Sequence, residues 1–265
     1  MIRYALFYIL LFSCFILTSC SEDDSNSPNT QNDKNYFPLV INNSWDYKNT
    51  ISAPNQNDFE SQETLSVSSS NQGGANTTFE FETTNPVNAA PTTLALSNGV
   101  LYKEGNTLVY TGSFGLGLPD FPGLTFDVQD GEIYDKNANE GDVLFTFSDT
   151  VEESIEGFPI NIDYTVTSIM GNNFMDIQVS DQSYNDVISS KLVINMNISS
   201  NIGIEVDVLE SQDVVILTNY FAKDIGLIKS ETDTNFDFIS FPSLPLEDVS
   251  FFTLQELQSY NVSLD

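Results

Sequence analysis

Apolar and polar residues alternate along most of this chain. From Phe158 to Met170 the residues Ile160, Ile162, Tyr164 and Val166 fall on one phase, with polar residues on the other. Val187–Ser199 repeats the pattern through Leu192, Ile194, Met196 and Ile198. A period of two predicts strands with one buried face. Val143–Phe147, Val214–Phe221, Ile225–Glu231 and Phe236–Phe241 read the same way, as do Thr64–Ser68, Thr77–Thr83 and Thr92–Ser97, which are rich in Thr, Val and Phe. Gly and Asn pairs punctuate them. Asn98-Gly99 is expected to join Thr92–Ser97 to Val100–Lys103, and Gly105-Asn106 to join that strand to Thr107–Thr111, as hairpin turns. Gly171-Asn172-Asn173 is expected to turn the chain into Phe174–Ser180, and Asn42-Asn43 to turn it between Leu39–Ile41 and Ser44–Thr50. Asp248–Asp265 is ambiguous, with Leu254, Leu257 and Tyr260 at helical spacing; it is assigned as a last edge strand. The expectation is an all-β antiparallel meander over residues 36–265, coiled into a strongly curved sheet or half-barrel, with a β-sandwich as the alternative.

The first 20 residues break this pattern. Arg3 is followed by an apolar run, Tyr4–Leu17, and then Leu17-Thr18-Ser19-Cys20. A charged start, an apolar run and small residues at its end describe a secretory signal over residues 1–19. Leu17-Thr18-Ser19-Cys20 resembles the lipobox of bacterial lipoproteins. That resemblance implies a thioether-linked diacylglycerol on Cys20, cleavage before it and N-acylation, with several acyl chains giving a firm anchor. A plain secretory signal with an incidental cysteine is the alternative. Ser21, Glu22, Asp23 and Asp24 resemble the acidic export signal that follows the lipidated cysteine in Bacteroidota surface lipoproteins, which implies an outer-membrane protein carried to the cell surface. An acidic solvated tether is the simpler reading. Residues 20–35 lack apolar periodicity and read as such a tether, spanning roughly 20 Å on average.

Two further motifs carry the same resemblance. Phe37-Pro38-Leu39, then Asn43 and Trp45-Asp46-Tyr47, is similar to the opening of the mature domain in Bacteroidota lipoproteins of unassigned function. Tyr220–Lys229, reading Phe221-Ala222-Lys223-Asp224-Ile225-Gly226-Leu227-Ile228-Lys229, resembles a second motif of those proteins, with Asp224 in place of a glycine. Together they imply an antiparallel β architecture and carry no catalytic assignment. In outline the strand pattern also resembles the half-barrel of lipoprotein carriers.

Composition narrows the functions. The chain holds 8 Lys and Arg against 38 Asp and Glu, for a net charge of −30 and no His. Loss of Arg3 with the signal leaves a still more acidic mature chain. Nucleic acid needs a basic footprint and is excluded as a partner. Histidine-dependent triads and the usual zinc sites are excluded too. Of the 2 Cys, Cys14 leaves with the signal, so no disulfide forms and the core must carry stability. Carboxylate pairs are the only catalytic chemistry left, and no pair stands out, so the protein is expected not to be an enzyme.

The remaining candidates concern binding. Gly112–Gly123, with Phe114, Leu116, Leu118 and Phe121, reads either as a lid over an apolar cavity or as a loop folded on the sheet edge. Trp45 and Tyr47 share one strand face; they are core, or a stacking platform for a sugar. Asp135, Asn137 and Asn139 have odd-position spacing like a calcium loop, but Glu140 and Thr146 stand where that loop needs Gly and Glu; a solvated acidic turn is the alternative, and no other cofactor is implied. Asp149-Thr150-Val151 resembles a Bacteroidota O-glycosylation sequon on Thr150. The expected role is a surface-anchored, non-enzymatic binding protein for an apolar or lipid ligand; an interaction subunit of an outer-membrane complex, or a glycan-binding accessory lipoprotein, are the alternatives.

Overall fold

The protein is described by a computed structural model over residues 34–115, 124–155, 158–201, 205–240 and 246–264. The signal, Cys20, the acidic tetrad Ser21–Asp24 and three lid residues, Leu116, Leu118 and Phe121, lie outside these residues. Asn35–Asp265 forms one compact unit.

Its strands are β1 (Ser44–Ser52), β2 (Phe59–Asn71), β3 (Thr78–Thr83), β4 (Gly99–Glu104), β5 (Thr107–Gly115), β6 (Thr125–Asp135), β7 (Val143–Ile155), β8 (Phe158–Val179), β9 (Gln182–Asn201), β10 (Glu205–Ala222), β11 (Gly226–Phe236) and β12 (Val249–Asn261), with one short helix, α1 (Pro91–Ser97). Among the described residues all twelve belong to one antiparallel sheet, in the order β6-β5-β4-β3-β2-β1-β12-β11-β10-β9-β8-β7. Each strand therefore pairs with its sequence neighbour, except where β12 closes onto β1. The two edges, β6 and β7, are consecutive in sequence, and β6 packs against β7, β8 and β9. The sheet is thus coiled nearly into a barrel, as the half-barrel reading expected, and the sandwich alternative falls. Side chains close the seam: Phe126 of β6 meets Tyr164 of β8 edge-on, with ring centroids 4.5 Å apart, and Phe114 at the end of β5 packs on Phe126 at 5.5 Å.

Two apolar clusters fill the interior. One gathers Phe37, Trp45, Tyr47, Leu65, Leu101, Tyr134, Val187, Phe221 and Leu227. The other gathers Phe126, Ile160, Ile162, Ile194, Met196, Ile198, Val214 and Phe236. The inward phase of every strand supplies them, as the alternation predicts.

Four local expectations are corrected. Thr92–Ser97 is not a strand but α1, and Asn98-Gly99 is not a hairpin turn: Asn98 caps the helix, its N–H donating to Leu94 O and Ala95 O. Pro91 at the first helical position favours this start. Thr92 and Thr93 turn to buried polar partners on the sheet, which outweighs their strand propensity. Gly171-Asn172-Asn173 is no turn either. It lies inside β8, 22 residues long, as a bulge where the pairing with β9 slips between Met170 and Asn173. The reversal comes at Ser180, which takes a positive φ of 51°. Finally, β12 is a strand, but not an edge: it lies between β1 and β11. Pattern shows which face is buried and says nothing about how many neighbours a strand has.

At the β8 bulge a Cβ on Gly171 would stand 3.0 Å from Ser189 O and closer still to Ser189 Oγ. Gly171→Ala is expected to cost about 1–3 kcal/mol through overpacking. A urea titration should show a lower midpoint at unchanged slope.

Candidate functional site

Of the sequence candidates, Trp45 resolves first. It is fully buried, as is Tyr47. The core reading holds, and the sugar platform is overturned, because a ring with no exposed face cannot stack on a ligand. Its role is to join the two motifs. Trp45 Nε1 donates to Ile225 O at 2.7 Å, and Tyr47 Oη donates to Leu227 O at 2.8 Å. Phe37 packs on Trp45 at 5.1 Å and on Phe221 at 6.0 Å. Gly226, with φ 115°, lies so close under the indole that a Cβ would stand 2.9 Å from Trp45 Nε1. Asp224, in the place of a glycine, takes φ 61° and donates its N–H to Asn35 O at 2.6 Å. A short polar side chain tolerates that left-handed conformation.

The acidic loop after β6 spends its donors and acceptors on its own turn. Asp135 Oδ1 accepts the Asn137 N–H at 2.9 Å, and Asp142 Oδ2 accepts the Asn139 N–H at 2.8 Å. Asp127–Asp135 is strand rather than turn. Among the described residues no group of three or more Asp or Glu is placed to hold a metal.

Between the apolar clusters runs a buried polar belt that sequence reading missed. Glu63 on β2 is 3 % exposed. Its Oε1 accepts Asn49 Nδ2 at 2.7 Å, Gln255 Nε2 at 2.9 Å and the Ala90 N–H, ahead of α1, at 3.1 Å. Thr83 Oγ1 donates to Oε2 at 3.3 Å. Gln255 Nε2 also reaches Thr93 Oγ1, and Thr92 reaches Asn219 and Ser230. Burial pushes the Glu63 carboxyl above the usual glutamate range, and its hydrogen bonds oppose that shift. The belt fastens α1 to the inner face of the sheet. It is the interior's own polar core, with no opening to solvent at Glu63.

The described surface hollow lies on the other face. It has a volume of about 480 Å³ and is lined by Ser148, Asp149, Thr150, Asp163, Tyr164, Thr165, Asn195, Asn197 and Ser211. These residues come from β7, β8, β9 and β10. Register brings them into two rows. Thr150 stands opposite Asp163, and Asp163 opposite Asn197. Ser148 stands opposite Thr165, Thr165 opposite Asn195, and Asn195 opposite Asp213. Apart from Asp149 and Tyr164, which stand opposite each other on the inner phase, they occupy the polar phase of the same strands whose apolar phase, Ile162, Val166, Ile194, Met196 and Ile198, is buried. The rows are cross-linked. Thr150 Oγ1 donates to Asp163, and Ser148 and Thr165 share a hydrogen bond of 2.8 Å. Asn195 Nδ2 donates to Asp213 at 2.9 Å, Asn195 Oδ1 accepts from Ser211 at 2.8 Å, and Asn197 Nδ2 donates to Asp207 at 3.2 Å and to Leu209 O at 3.0 Å. The pairing of β10 with β9 slips three times between Asp207 and Val215. Such irregularities bend a strand and re-aim its side chains, and here they border the hollow. Thr150, the candidate modification site, is exposed on its rim.

No protein-family model matches the chain, and no curated protein does. Three solved structures are similar to it at low identity and low TM-score. A protein of Bacteroides fragilis provisionally assigned as exported, with a YmcC-like fold, aligns over 85 % of this chain and 98 % of its own at 9 % identity and a TM-score of 0.38. A protein of Parabacteroides distasonis provisionally assigned as a lipoprotein aligns over 86 % and 99 % at 11 % identity and a TM-score of 0.33. A LolA superfamily protein of Nitrosomonas europaea aligns over 86 % and 88 % at 12 % identity and a TM-score of 0.19. These likenesses are too distant to transfer a ligand.

Proposed function

We propose that this chain is a non-enzymatic binding protein, lipid-anchored through Cys20 in the outer membrane and exposed at the cell surface, that takes a polar ligand in the hollow across β7–β10. The hollow carries the reading: it is a depression of about 480 Å³ on the polar face of the sheet, whereas the described inner face holds two apolar clusters, the Glu63 belt and α1. The lining offers Ser, Thr, Asn and Asp, which orient a ligand by hydrogen bonds. The anchoring rests on Arg3, the apolar run and Cys20. Cys20→Ala is expected to move the protein from the membrane to the soluble fraction and to remove the acyl mass.

A second reading, an apolar ligand in the interior, is favoured by the Phe114–Phe126–Tyr164 stack at the seam, where the chain enters the Gly- and Phe-rich segment after Gly115. Native mass spectrometry of the lipidated chain, purified gently from its own envelope, separates the two. A polar adduct that disappears in Asn197→Ala supports the hollow. A lipid-sized adduct indifferent to that substitution would overturn it in favour of the interior. Glycosylation of Thr150 is read from the same spectra, as a mass increment absent from Thr150→Ala.

A further inference from the structure

The chemistry of the hollow narrows its ligand, and the inference rests on the binding reading above. Every class of ligand needs a matching feature. An anionic ligand, such as a phosphate or a carboxylate, needs a cation or a cluster of backbone N–H groups. No lysine lines the hollow, Asp149 and Asp163 do, and the chain carries a net charge of −30, so an anion would be repelled. A lipid needs apolar wall, yet eight of the nine lining residues are Ser, Thr, Asn or Asp, and the ninth, Tyr164, is 5 % exposed. A metal ion needs converging carboxylates, and among the described residues no such group is placed to hold one.

What the lining does supply is a grid of groups that both donate and accept. The hydroxyls of Ser148, Thr150, Thr165 and Ser211 each do both, and the amides of Asn195 and Asn197 carry a donor beside an acceptor. Each of the two carboxylates accepts one neutral donor. Asp163 accepts from Thr150 Oγ1, and Asp149 Oδ1 accepts the Thr150 N–H at 2.8 Å. Adjacent strands place the residues of each row about 4.8 Å apart, and successive rows about 6.8 Å apart along the strand. The rows are held in that array by hydrogen bonds within and between strands rather than by long flexible side chains, so little ordering entropy is lost when a ligand binds. Hydroxyl groups on a rigid sugar ring likewise each donate and accept, and those on opposite sides of the ring, rather than vicinal ones, are separated by a distance like that between adjacent strands.

We infer that the hollow formed by Ser148, Thr150, Asp163, Thr165, Asn195, Asn197 and Ser211 is a binding site for a neutral, polyhydroxylated ligand, that is, a stretch of uncharged glycan. Recognition is by hydrogen bonds laid flat across four strands, without a stacking ring. Asn195 and Asn197 are the orienting residues, because each faces one row while holding the bent β10 segment through Asp213, Ser211, Asp207 and Leu209 O.

The test is isothermal titration of the lipidated full chain in neutral detergent with three oligosaccharide sets: neutral hexoses and pentoses (cello-, xylo-, manno- and malto-oligomers), acidic oligogalacturonate, and basic oligoglucosamine. The expected result is binding of at least one neutral oligomer, unchanged between low and high salt, because no charge pair is formed. Asn195→Ala and Asn197→Ala should each weaken it by about tenfold or more, because the remaining donor and acceptor of Asn195 and the amide oxygen of Asn197, whose two N–H groups are held by Asp207 and Leu209 O, are lost and leave ligand hydroxyls unpaired. Thr165→Val, which keeps shape and strand propensity, should weaken it less, and unchanged thermal melting shows that each variant is folded. Preferential, salt-sensitive binding of the basic oligomers would overturn the neutral class while leaving the hollow as the site. A silent panel, with a polar adduct in native spectra still lost in Asn197→Ala, would overturn the glycan class alone. Neutral-glycan binding undiminished in all three variants would overturn the hollow itself.

Discussion

Trp45→Ala is expected to cost about 3–5 kcal/mol, the range for removing a large buried aromatic ring. Set against a typical total of about 5–15 kcal/mol, that is enough to bring the protein close to unfolding. Three losses combine. The indole is fully buried, so its removal leaves a void. The Ile225 carbonyl loses its 2.7 Å donor. Phe37, seated on the indole at 5.1 Å, loses the face that holds it. Gly226→Ala attacks the same contact from the other side. At φ 115° an alanine is strained, and its Cβ would stand 2.9 Å from Trp45 Nε1. The two substitutions are therefore expected to be non-additive. In the Trp45→Ala background the added methyl meets an empty space, so Gly226→Ala should retain only its backbone strain, about 1–3 kcal/mol, and cost less than in the parent. Denaturant unfolding followed by far-ultraviolet circular dichroism on the four proteins of the cycle measures the coupling. Strict additivity would mean that the indole and Gly226 do not constrain each other. In the parent the single Trp also reports unfolding by fluorescence, and being buried it should not respond to a ligand in the outer hollow.

Glu63 carries the second large effect, and its sign depends on the replacement. Glu63→Ala strips the acceptor from Asn49, Gln255 and the Ala90 N–H together. Each stranded buried donor costs about 1–3 kcal/mol, so a loss of at least about 3 kcal/mol is expected. Because Ala90 N–H and Thr93 tie α1 to this belt, protection of the α1 amides from hydrogen exchange should fall first. Glu63→Gln keeps an oxygen for the three donors and removes the desolvated charge, and Thr83 Oγ1 can reverse to accept from the new amide. It should be neutral or stabilising at pH 7. The pH dependence fixes the assignment. Burial raises the carboxyl pKa above 4.5 in the fold. A group raised on folding contributes stability that is fully present below its unfolded value and is lost as pH rises through its folded value. The stability of the parent relative to Glu63→Gln should therefore fall as pH rises from about 4.5. Comparing the two proteins cancels the general repulsion among the other carboxylates. A parent that gains on the Gln variant as pH rises would mean that the hydrogen bonds outweigh burial.

Much of this architecture was legible because it is local. The period of two across β8 and β9 placed Ile162, Ile194 and their neighbours inward without knowledge of partners, and the Gly105-Asn106 turn was sufficient to order β4 and β5. What was misread depended on partners distant in sequence. Thr92–Ser97 looked like a strand because Thr favours one and Leu94 and Leu96 alternate; it is a helix because Glu63 accepts the N–H just ahead of it and Thr92 and Thr93 find Asn219, Ser230 and Gln255 across the sheet. Gly171-Asn172-Asn173 has turn composition, yet pairing with β9 on both sides carries the chain straight through it. The hollow went unremarked for a related reason. Alternation draws attention to the apolar phase, while Asp163, Thr165, Asn195 and Asn197 sit on the other, and polar residues on an outer face look alike until register places them side by side.

The sequence by itself determined that this is an acidic, histidine-free chain with an apolar N-terminal run ending at a cysteine, followed by strands with one face to bury; composition and period suffice for that. It also singled out the stretches around Trp45 and Gly226. Only the tertiary structure decided that those stretches, 180 residues apart between Trp45 and Ile225, are one contact, that β12 closes onto β1, that a carboxylate, Glu63, is buried in the interior, and that polar side chains from four strands meet in one hollow. The physical reason is that burial preference is a property of single residues, whereas register, closure and the pairing of polar groups are properties of two strands at once.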